Sequence, residues 1–438
     1  MKTINLKLKF NIFLTLISLI LISCSTQAQE KKESFEKTFN LSSTGNFTFS
    51  CYDSDLKVNT WANNEVKIYG EIFIKGGKEE DQQQLIDVFK NPQVTQGTNT
   101  LEIKTDISKN TVVIGPFSKT TLIDGKTITV DKYEVKYTLW IPESIAFNLK
   151  SKYNDIEIAP LKGKINFDLY DADITMASFG SDARFTMKYS NASLGKGGDA
   201  ILDIYDSDIE ALEMNNIEIT SKYSGITIGS INTLDFNSYD DNIKIGKINS
   251  LKSEAKYSEY IINGEMTNCI LNLYDSDFEA SNIGKLVYTS KYSELKAGNV
   301  NQFIVNSIYD SEVNLGDVGE FSCSESKYDN FVFTSIKTSV NMPNTYDSDL
   351  QIGKALSSLK SFEGDFKYCS ITFPLDPSLP FSLEFDATYG EIKFSRDRFS
   401  KNITSIKEDS KYQFKGSTSE NPTCKIKFGA YDTNMILY

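Results

Sequence analysis

The chain has 438 residues, with 46 basic side chains against 59 acidic ones and a net charge of −13. Removing the three leader lysines Lys2, Lys7 and Lys9 leaves 43 against 59, or −16, a balance that opposes nucleic acid and other polyanions as partners. Histidine is absent, so no Ser-His-Asp or Cys-His nucleophile can be assembled and a zinc site would lack its commonest nitrogen ligand.

The first segment joins those lysines to an apolar run from Phe10 to Ile22, the pattern of a secretory signal and too short to favour a membrane span. Residues 1–23 are therefore expected to be a signal peptide. Leu21-Ile22-Ser23-Cys24 resembles a lipobox and marks Cys24 for lipidation, while Thr26-Gln27-Ala28 offers an ordinary cleavage site. The chain is accordingly expected to be exported to the cell envelope, as an outer-membrane lipoprotein or a periplasmic protein, or else secreted. Any membrane attachment would rest on Cys24. The other cysteines, Cys51, Cys269, Cys323, Cys369 and Cys424, have no CxxC spacing and read as small buried apolar residues.

Residues 24–150 read as an N-terminal β cap. Strand-like runs at Asp55–Thr60, Val66–Ile74, Thr100–Thr105 and Val135–Ile141 surround one short helix, Glu79–Phe89. A stack of strands exposes pairing edges at its ends, and atypical terminal segments cover them.

From about Ser151 to Glu391 a unit of 17 or 18 residues recurs. Tyr-Asp-Ser-Asp or a close variant stands at Tyr52, Tyr170, Tyr205, Tyr239, Tyr274, Tyr309 and Tyr346, with a last echo at Tyr431. Lys-Tyr-Ser-like segments around Tyr153, Tyr189, Tyr223, Tyr257, Tyr292, Tyr328 and Tyr368 lie between them. Aligned on the serine column, Asn154, Ala172, Ser190, Ser207, Ser224, Asp241, Ser258, Ser276, Ser293, Ser311, Asp329 and Ser348, the steps are 18, 18, 17, 17, 17, 17, 18, 17, 18, 18 and 19. Apolar residues alternate three and five places before the serine and two and four places after it, so the buried phase flips at the serine. A straight strand cannot change face, so this segment is a corner. Glycines such as Gly229, Gly246, Gly298, Gly316 and Gly353 mark a second corner.

The pattern predicts an all-β protein, a β-solenoid of stacked two-strand rungs over residues 151–373, about 60 Å long for a dozen rungs at about 4.8 Å each. Pro374, Pro377 and Pro380 interrupt it, and residues 374–438 are expected to form a C-terminal cap from strands at Phe381–Phe385, Glu391–Phe394 and Lys425–Phe428.

At the corner, the residue two before the serine alternates between tyrosine and lysine, and the next alternates between aspartate and tyrosine. In-register stacking would set each lysine between tyrosines and diagonal to aspartates, giving cation–π and ion-pair contacts, while a one-rung slip would set like charges together. The alternation therefore controls register. The same stripe, Tyr170, Lys188, Tyr205, Lys222, Tyr239, Lys256, Tyr274, Lys291, Tyr309, Lys327 and Tyr346, is also a candidate binding face for a glycan or a cell-surface protein. The column just after the serine supplies carboxylates such as Asp208, Asp277, Glu294, Glu312 and Asp349 but also contains Asn191, Gly225, Asn242 and Asn330, which favours solvated turn residues over a Ca²⁺ site. No catalytic residue, cofactor or metal site is expected.

Tyr52-Asp53-Ser54-Asp55-Leu56-Lys57-Val58, followed by Thr60-Trp61, Glu65-Val66-Lys67-Ile68, the helical insert, Thr100-Leu101-Glu102-Ile103 and Tyr137 to Pro142, resembles the bacterial "putative adhesin" family of β-strand-repeat envelope proteins common in Bacteroidetes. The resemblance implies a solenoid at the cell envelope and, by its name, adhesion, without an established ligand. The expected function is thus non-enzymatic, structural or adhesive. The alternatives are a polysaccharide-acting β-helix enzyme, which would need acids clustered in a cleft, and a periplasmic stress or signalling accessory, which gene neighbourhood would reveal.

Overall fold

The computed structural model describes residues 30–438 apart from 115, 116 and 181. The leader, Cys24 and the alternative cleavage site lie outside these residues. The fold is a β-solenoid of about 12 turns with about 70% of residues in strands and 3% in helix. The chain divides into two compact units, one ending at Ile158 and the other running from Ala159 to Tyr438.

In the first unit, Asn46–Tyr52 and Asp55–Trp61 form a rung whose neighbour is a hundred residues away. Ala146–Lys152 pairs with Asn46–Tyr52 in parallel, Tyr52 opposite Lys152, and Asp155–Ile158 pairs with Asp55–Trp61. The intervening chain returns as Thr100–Lys104, parallel to Asn46–Tyr52, and as Lys132–Pro142, parallel to Asp55–Trp61. Antiparallel strands Glu65–Lys75 and Glu30–Asn40 extend this sheet. Helix α1, Glu79–Phe89, spans the residues its pattern predicts, and buries Leu85, Ile86 and Phe89. Phe89 meets Phe35 edge-on at 5.0 Å. Gly70 leaves the room for both rings, since a Cβ there would stand 2.6 Å from Phe35.

In the second unit each rung repeats the one before it in parallel register. Between Gly225–Tyr239 and Asn242–Lys256, for example, Ile226 faces Ile243, Ile228 faces Ile245 and Leu234 faces Leu251. The positions read as apolar are the buried ones: Leu202, Ile204, Ile226, Ile228, Ile243 and Ile245 are all at most 2% exposed. The second corner is broader than a single bend. Two outward pairs, Gly229-Ser230 and Asn232-Thr233, straddle one inward residue, Ile231. Glycine is required there, because a Cβ on Gly246 would come within 2.3 Å of the Gly229 carbonyl oxygen one rung below.

The serine corner is built by backbone and side chain together. The residue before the serine takes a left-handed conformation in every rung, at φ 49 for Asp206, 59 for Tyr223, 57 for Asp240 and 58 for Tyr257. That single residue turns the chain and puts two outward side chains in succession, which flips the buried phase. The turn leaves the serine N–H without a carbonyl, and the next rung's hydroxyl accepts it instead: Ser190 N–H to Ser207 Oγ at 3.1 Å, Ser207 to Ser224 at 3.2 Å, Ser258 to Ser276 at 3.1 Å and Ser276 to Ser293 at 3.2 Å. Each hydroxyl then donates to the carbonyl two residues back in its own rung, as Ser276 Oγ does to Tyr274 at 2.9 Å. The serines are buried, so every one of these bonds satisfies a group that water cannot reach.

The C-terminal cap departs from chain order. Ser361–Lys367 pairs with Cys424–Tyr431, which pairs on its other side with Phe381–Thr388. Antiparallel strands Lys411–Ser417 and Lys401–Glu408 then cover the end. The late strand is thus threaded between two earlier rungs. The Pro374–Pro380 loop is fastened by the Arg398 guanidinium, which donates to the carbonyls of Pro377 and Leu379 at 3.0 and 3.1 Å. The five cysteines from Cys51 onward are buried and unbridged.

Replacing Ser276 with Ala leaves the Ser258 N–H orphaned in a dry corner, and denaturant melts are expected to show a loss of about 1–3 kcal/mol. Ser276→Thr, which keeps the hydroxyl as Thr433 does in the same column, is expected to lose less.

Candidate functional site

The candidate stripe follows from the corner. Tyr170, Tyr205, Tyr239, Tyr274, Tyr309 and Tyr346 alternate in register with Lys188, Lys222, Lys256, Lys291 and Lys327. The structure brings a second set into the same stripe, the left-handed tyrosines Tyr189, Tyr223, Tyr257, Tyr292, Tyr328 and Tyr368. The two sets interleave into one zigzag of edge-to-face rings: Tyr205 to Tyr223 at 5.6 Å, Tyr223 to Tyr239 at 5.6 Å, Tyr239 to Tyr257 at 5.4 Å and Tyr257 to Tyr274 at 5.8 Å. It runs unbroken through fourteen tyrosines from Tyr170 to Tyr389. Both columns were visible in the sequence. Their contact was not, because it joins positions one residue apart on adjacent rungs.

The zigzag crosses the diagonal along which lysine was expected to meet aspartate, as Tyr239–Tyr257 crosses Lys256–Asp240. Three of the five lysines reach rings instead: Lys222 lies 5.9 Å from the Tyr239 ring, Lys291 5.1 and 5.2 Å from Tyr292 and Tyr309, and Lys327 4.8 Å from Tyr328 and 5.5 Å from Tyr346. Expected diagonal ion pairs are therefore replaced by ring contacts. The result is a ribbon with tyrosine along the middle, lysine on one flank and, on the other, aspartates such as Asp206, Asp240, Asp275 and Asp310.

The order of the last rungs obeys the same rule. Along the chain, Lys367-Tyr368 is followed by Thr388-Tyr389 and only then by Tyr431-Asp432, which would stack two left-handed tyrosines directly. Threading Cys424–Tyr431 between them places Tyr431 at 5.5 Å from Tyr368 and 5.6 Å from Tyr389, and the alternation is restored. The first unit shows the same pairing, with Tyr52 and Tyr153 5.3 Å apart.

The ribbon is half-exposed, with Tyr189, Tyr223 and Tyr257 each 46% accessible and Tyr205 36%. Partial desolvation among neighbouring phenols pushes the hydroxyls of Tyr189, Tyr223 and Tyr257 above their ordinary range, so they stay neutral donors and acceptors at physiological pH. A face of this kind offers apolar edges and hydroxyl groups at a fixed pitch.

Beneath it, the serine column is replaced twice by aspartate. Asp241 accepts from the N–H groups of Ser224 and Tyr239 and the hydroxyls of Ser221 and Ser238, at 2.7–3.0 Å. Asp329 accepts from the Ser311 and Lys327 N–H groups and the Ser326 hydroxyl. Burial outweighs these bonds and pushes the Asp329 carboxyl up to about 6, with Asp241 raised in the same direction. Both carboxyls serve the corner, facing inward with their donors supplied by the fold.

A groove of about 570 Å³ lies in the C-terminal cap, where Glu363, Asp365, Glu384 and Asp386 line its polar side. Two of these four acids are matched to bases: Lys425 stands 2.9 Å from Glu363, and Lys415 and Lys427 stand 3.0 and 3.3 Å from Glu384, while Asp386 accepts from the Gln413 amide at 2.8 Å. Those two lysines hold the Glu384 carboxyl below its ordinary range, the opposite of what a proton-donating acid needs.

No family model matches the chain, and no curated protein does. Solved structures similar to it include a "putative cell adhesion protein" from Clostridium sporogenes, 8% identical with a TM-score of 0.18 over 93% of this chain and 99% of that one. Another is a "putative lipid binding protein" from Parabacteroides distasonis, 10% identical with a TM-score of 0.20 over 92% and 97%. Likeness at that level carries no argument about this chain.

Two outcomes are expected. At the left-handed Tyr257, Gly is expected to be tolerated better than Ala, because both lose two ring contacts worth about 0.5–1.5 kcal/mol each while only Ala keeps the roughly 1–2 kcal/mol backbone cost. At the extended Tyr274 the order reverses, and thermal melts of the four variants read the crossover. The second concerns Asp329, whose carboxyl holds its proton better folded than unfolded. Its contribution is present in acid and is lost as the pH rises through about 6. Asp329→Ser, the usual residue of that column, is expected to flatten the fall in melting temperature between about pH 4 and about pH 7.

Proposed function

We propose that this chain is a non-enzymatic structural or adhesive protein of the cell envelope, whose ribbon of tyrosines is the face it presents to a macromolecular partner. The unbroken ladder of half-exposed rings carries this reading. A core-forming aromatic would be buried and a solvating residue would be small and charged, whereas these rings lie at the surface, with Tyr189, Tyr205, Tyr223 and Tyr257 36–46% accessible. Rigid aromatic side chains with polar tips lose little conformational freedom on contact and are enriched where proteins meet their partners.

Export and the envelope are supported by the leader pattern and by the lipobox-like Cys24. Among the described residues no helix is long and apolar enough to cross a membrane. The absence of histidine and the ion pairing of Glu363 and Glu384 in the C-terminal groove favour a contact face over a reaction centre. A glycan and a cell-surface protein both suit neutral phenols flanked by charge.

Changing Tyr205, Tyr239, Tyr274 and Tyr309 together to Ser is expected to abolish binding to intact cells or to arrayed glycans. Circular dichroism at low temperature should stay that of a β protein, although the melting temperature falls as ring contacts are lost. Undiminished binding by the folded variant would count against the ribbon as the contact face.

A further inference from the structure

We infer that the ribbon fits a second copy of this chain, laid face to face and running in the same direction. The inference rests on the ribbon being the contact face, and names the partner from its geometry.

Periodicity points to a second copy. The ribbon repeats every two rungs, about 9.6 Å. An aperiodic surface can match such a face at one place only, whereas a partner with the same pitch can match it along its whole length. A second copy has that pitch by construction. Fourteen rungs make a ribbon about 60 Å long, and a width of about 10 Å gives about 1,200 Å² buried between two copies, the lower end of specific interfaces.

Charge points the same way. One rung presents tyrosine then aspartate, as Tyr239-Asp240, and the next presents lysine then tyrosine, as Lys256-Tyr257. Lysines therefore lie on one flank and aspartates on the other. A two-fold axis parallel to the stack brings each copy's lysine flank over the other's aspartate flank. It also sets every tyrosine opposite a lysine or an aspartate, the first as a cation–π contact and the second as a phenol-to-carboxylate hydrogen bond. The antiparallel arrangement puts lysine flank on lysine flank and aspartate flank on aspartate flank. The ribbon is thus self-complementary in one direction and repulsive in the other.

Sedimentation equilibrium of the full exported chain, from low micromolar to submillimolar concentration, decides whether it pairs. The expected dimer weakens as salt is added, because its flanks attract. A chain that stays monomeric throughout overturns the inference, and a dimer that tightens with salt overturns the parallel arrangement. Charge exchange then tests the face itself. Lys222→Glu, Lys256→Glu and Lys291→Glu together make both flanks acidic, and Asp240→Lys, Asp275→Lys and Asp310→Lys make both basic. Each folded variant alone is expected to associate at least about tenfold more weakly than the parent, and an equimolar mixture is expected to recover pairing. Variants that pair like the parent would place the interface elsewhere and sink the proposal. Should either variant fail to fold, the concentration and salt series on the parent still decides. A monomeric chain that captures cells or glycans through its tyrosines overturns self-pairing and leaves the adhesive reading standing, while loss of both overturns both.

Discussion

The structure depends on what happens to one N–H group. A left-handed residue at the corner bends the chain sharply enough to change face, and in doing so it strips the following residue's N–H of any carbonyl partner. An orphaned donor in a dry corner, repeated a dozen times, would be ruinous to a fold whose net stability is only about 5–15 kcal/mol. The hydroxyl of the adjacent rung removes that cost and locks the rungs to each other. Because the acceptor comes from the neighbour, the corner is stable only when stacked, and stacking is in register only when each corner N–H meets the side-chain oxygen of the same column one rung on.

That constraint explains why so much was legible. The serine column had the steadiest spacing because it is the hydrogen-bonding element, whereas the tyrosines at either side of the bend alternate between two positions and jitter when used as the anchor. The apolar phase, the flip at the corner and the helix at Glu79–Phe89 followed from periodicity alone. Three things did not. The first strand, Glu30–Asn40, alternates charges rather than apolar residues along much of its length and carries no strand signal of the usual kind. The small sheet formed by Ser108–Ile114, Phe117–Leu122 and Thr127–Val130 is one of isolated antiparallel turns, without the repeat to mark it. The ring ladder was hidden because it joins two columns that sequence alignment keeps apart.

The candidate face is legible for a related reason. Left-handed backbone is cheap for aspartate, whose short side chain can bond locally, and expensive for tyrosine. Tyrosine stands there in every second rung nonetheless, so the rings must return more than the backbone costs, through contacts to the rungs on both sides. Lys222, Lys291 and Lys327 lie against the rings, and the aspartates are left facing outward on the far flank. Polarity across the ribbon is therefore a by-product of packing before it is a recognition device, and the same residues that set register also fix which way the surface points its charges.

The threaded strand Cys424–Tyr431 bears on how the molecule is made. Most of the stack can grow rung upon rung as the chain emerges, each new turn finding its template already in place. At the far end this ceases to hold. The turn formed by Phe381–Thr388 has no correct seat on Ser361–Lys367, since both present a left-handed tyrosine, and it must wait for a strand that arrives some forty residues later. That end therefore closes by long-range insertion rather than by propagation, which is slow relative to local stacking. Until then an unpaired edge stays open, and the last rungs remain easier to unravel than the middle of the stack.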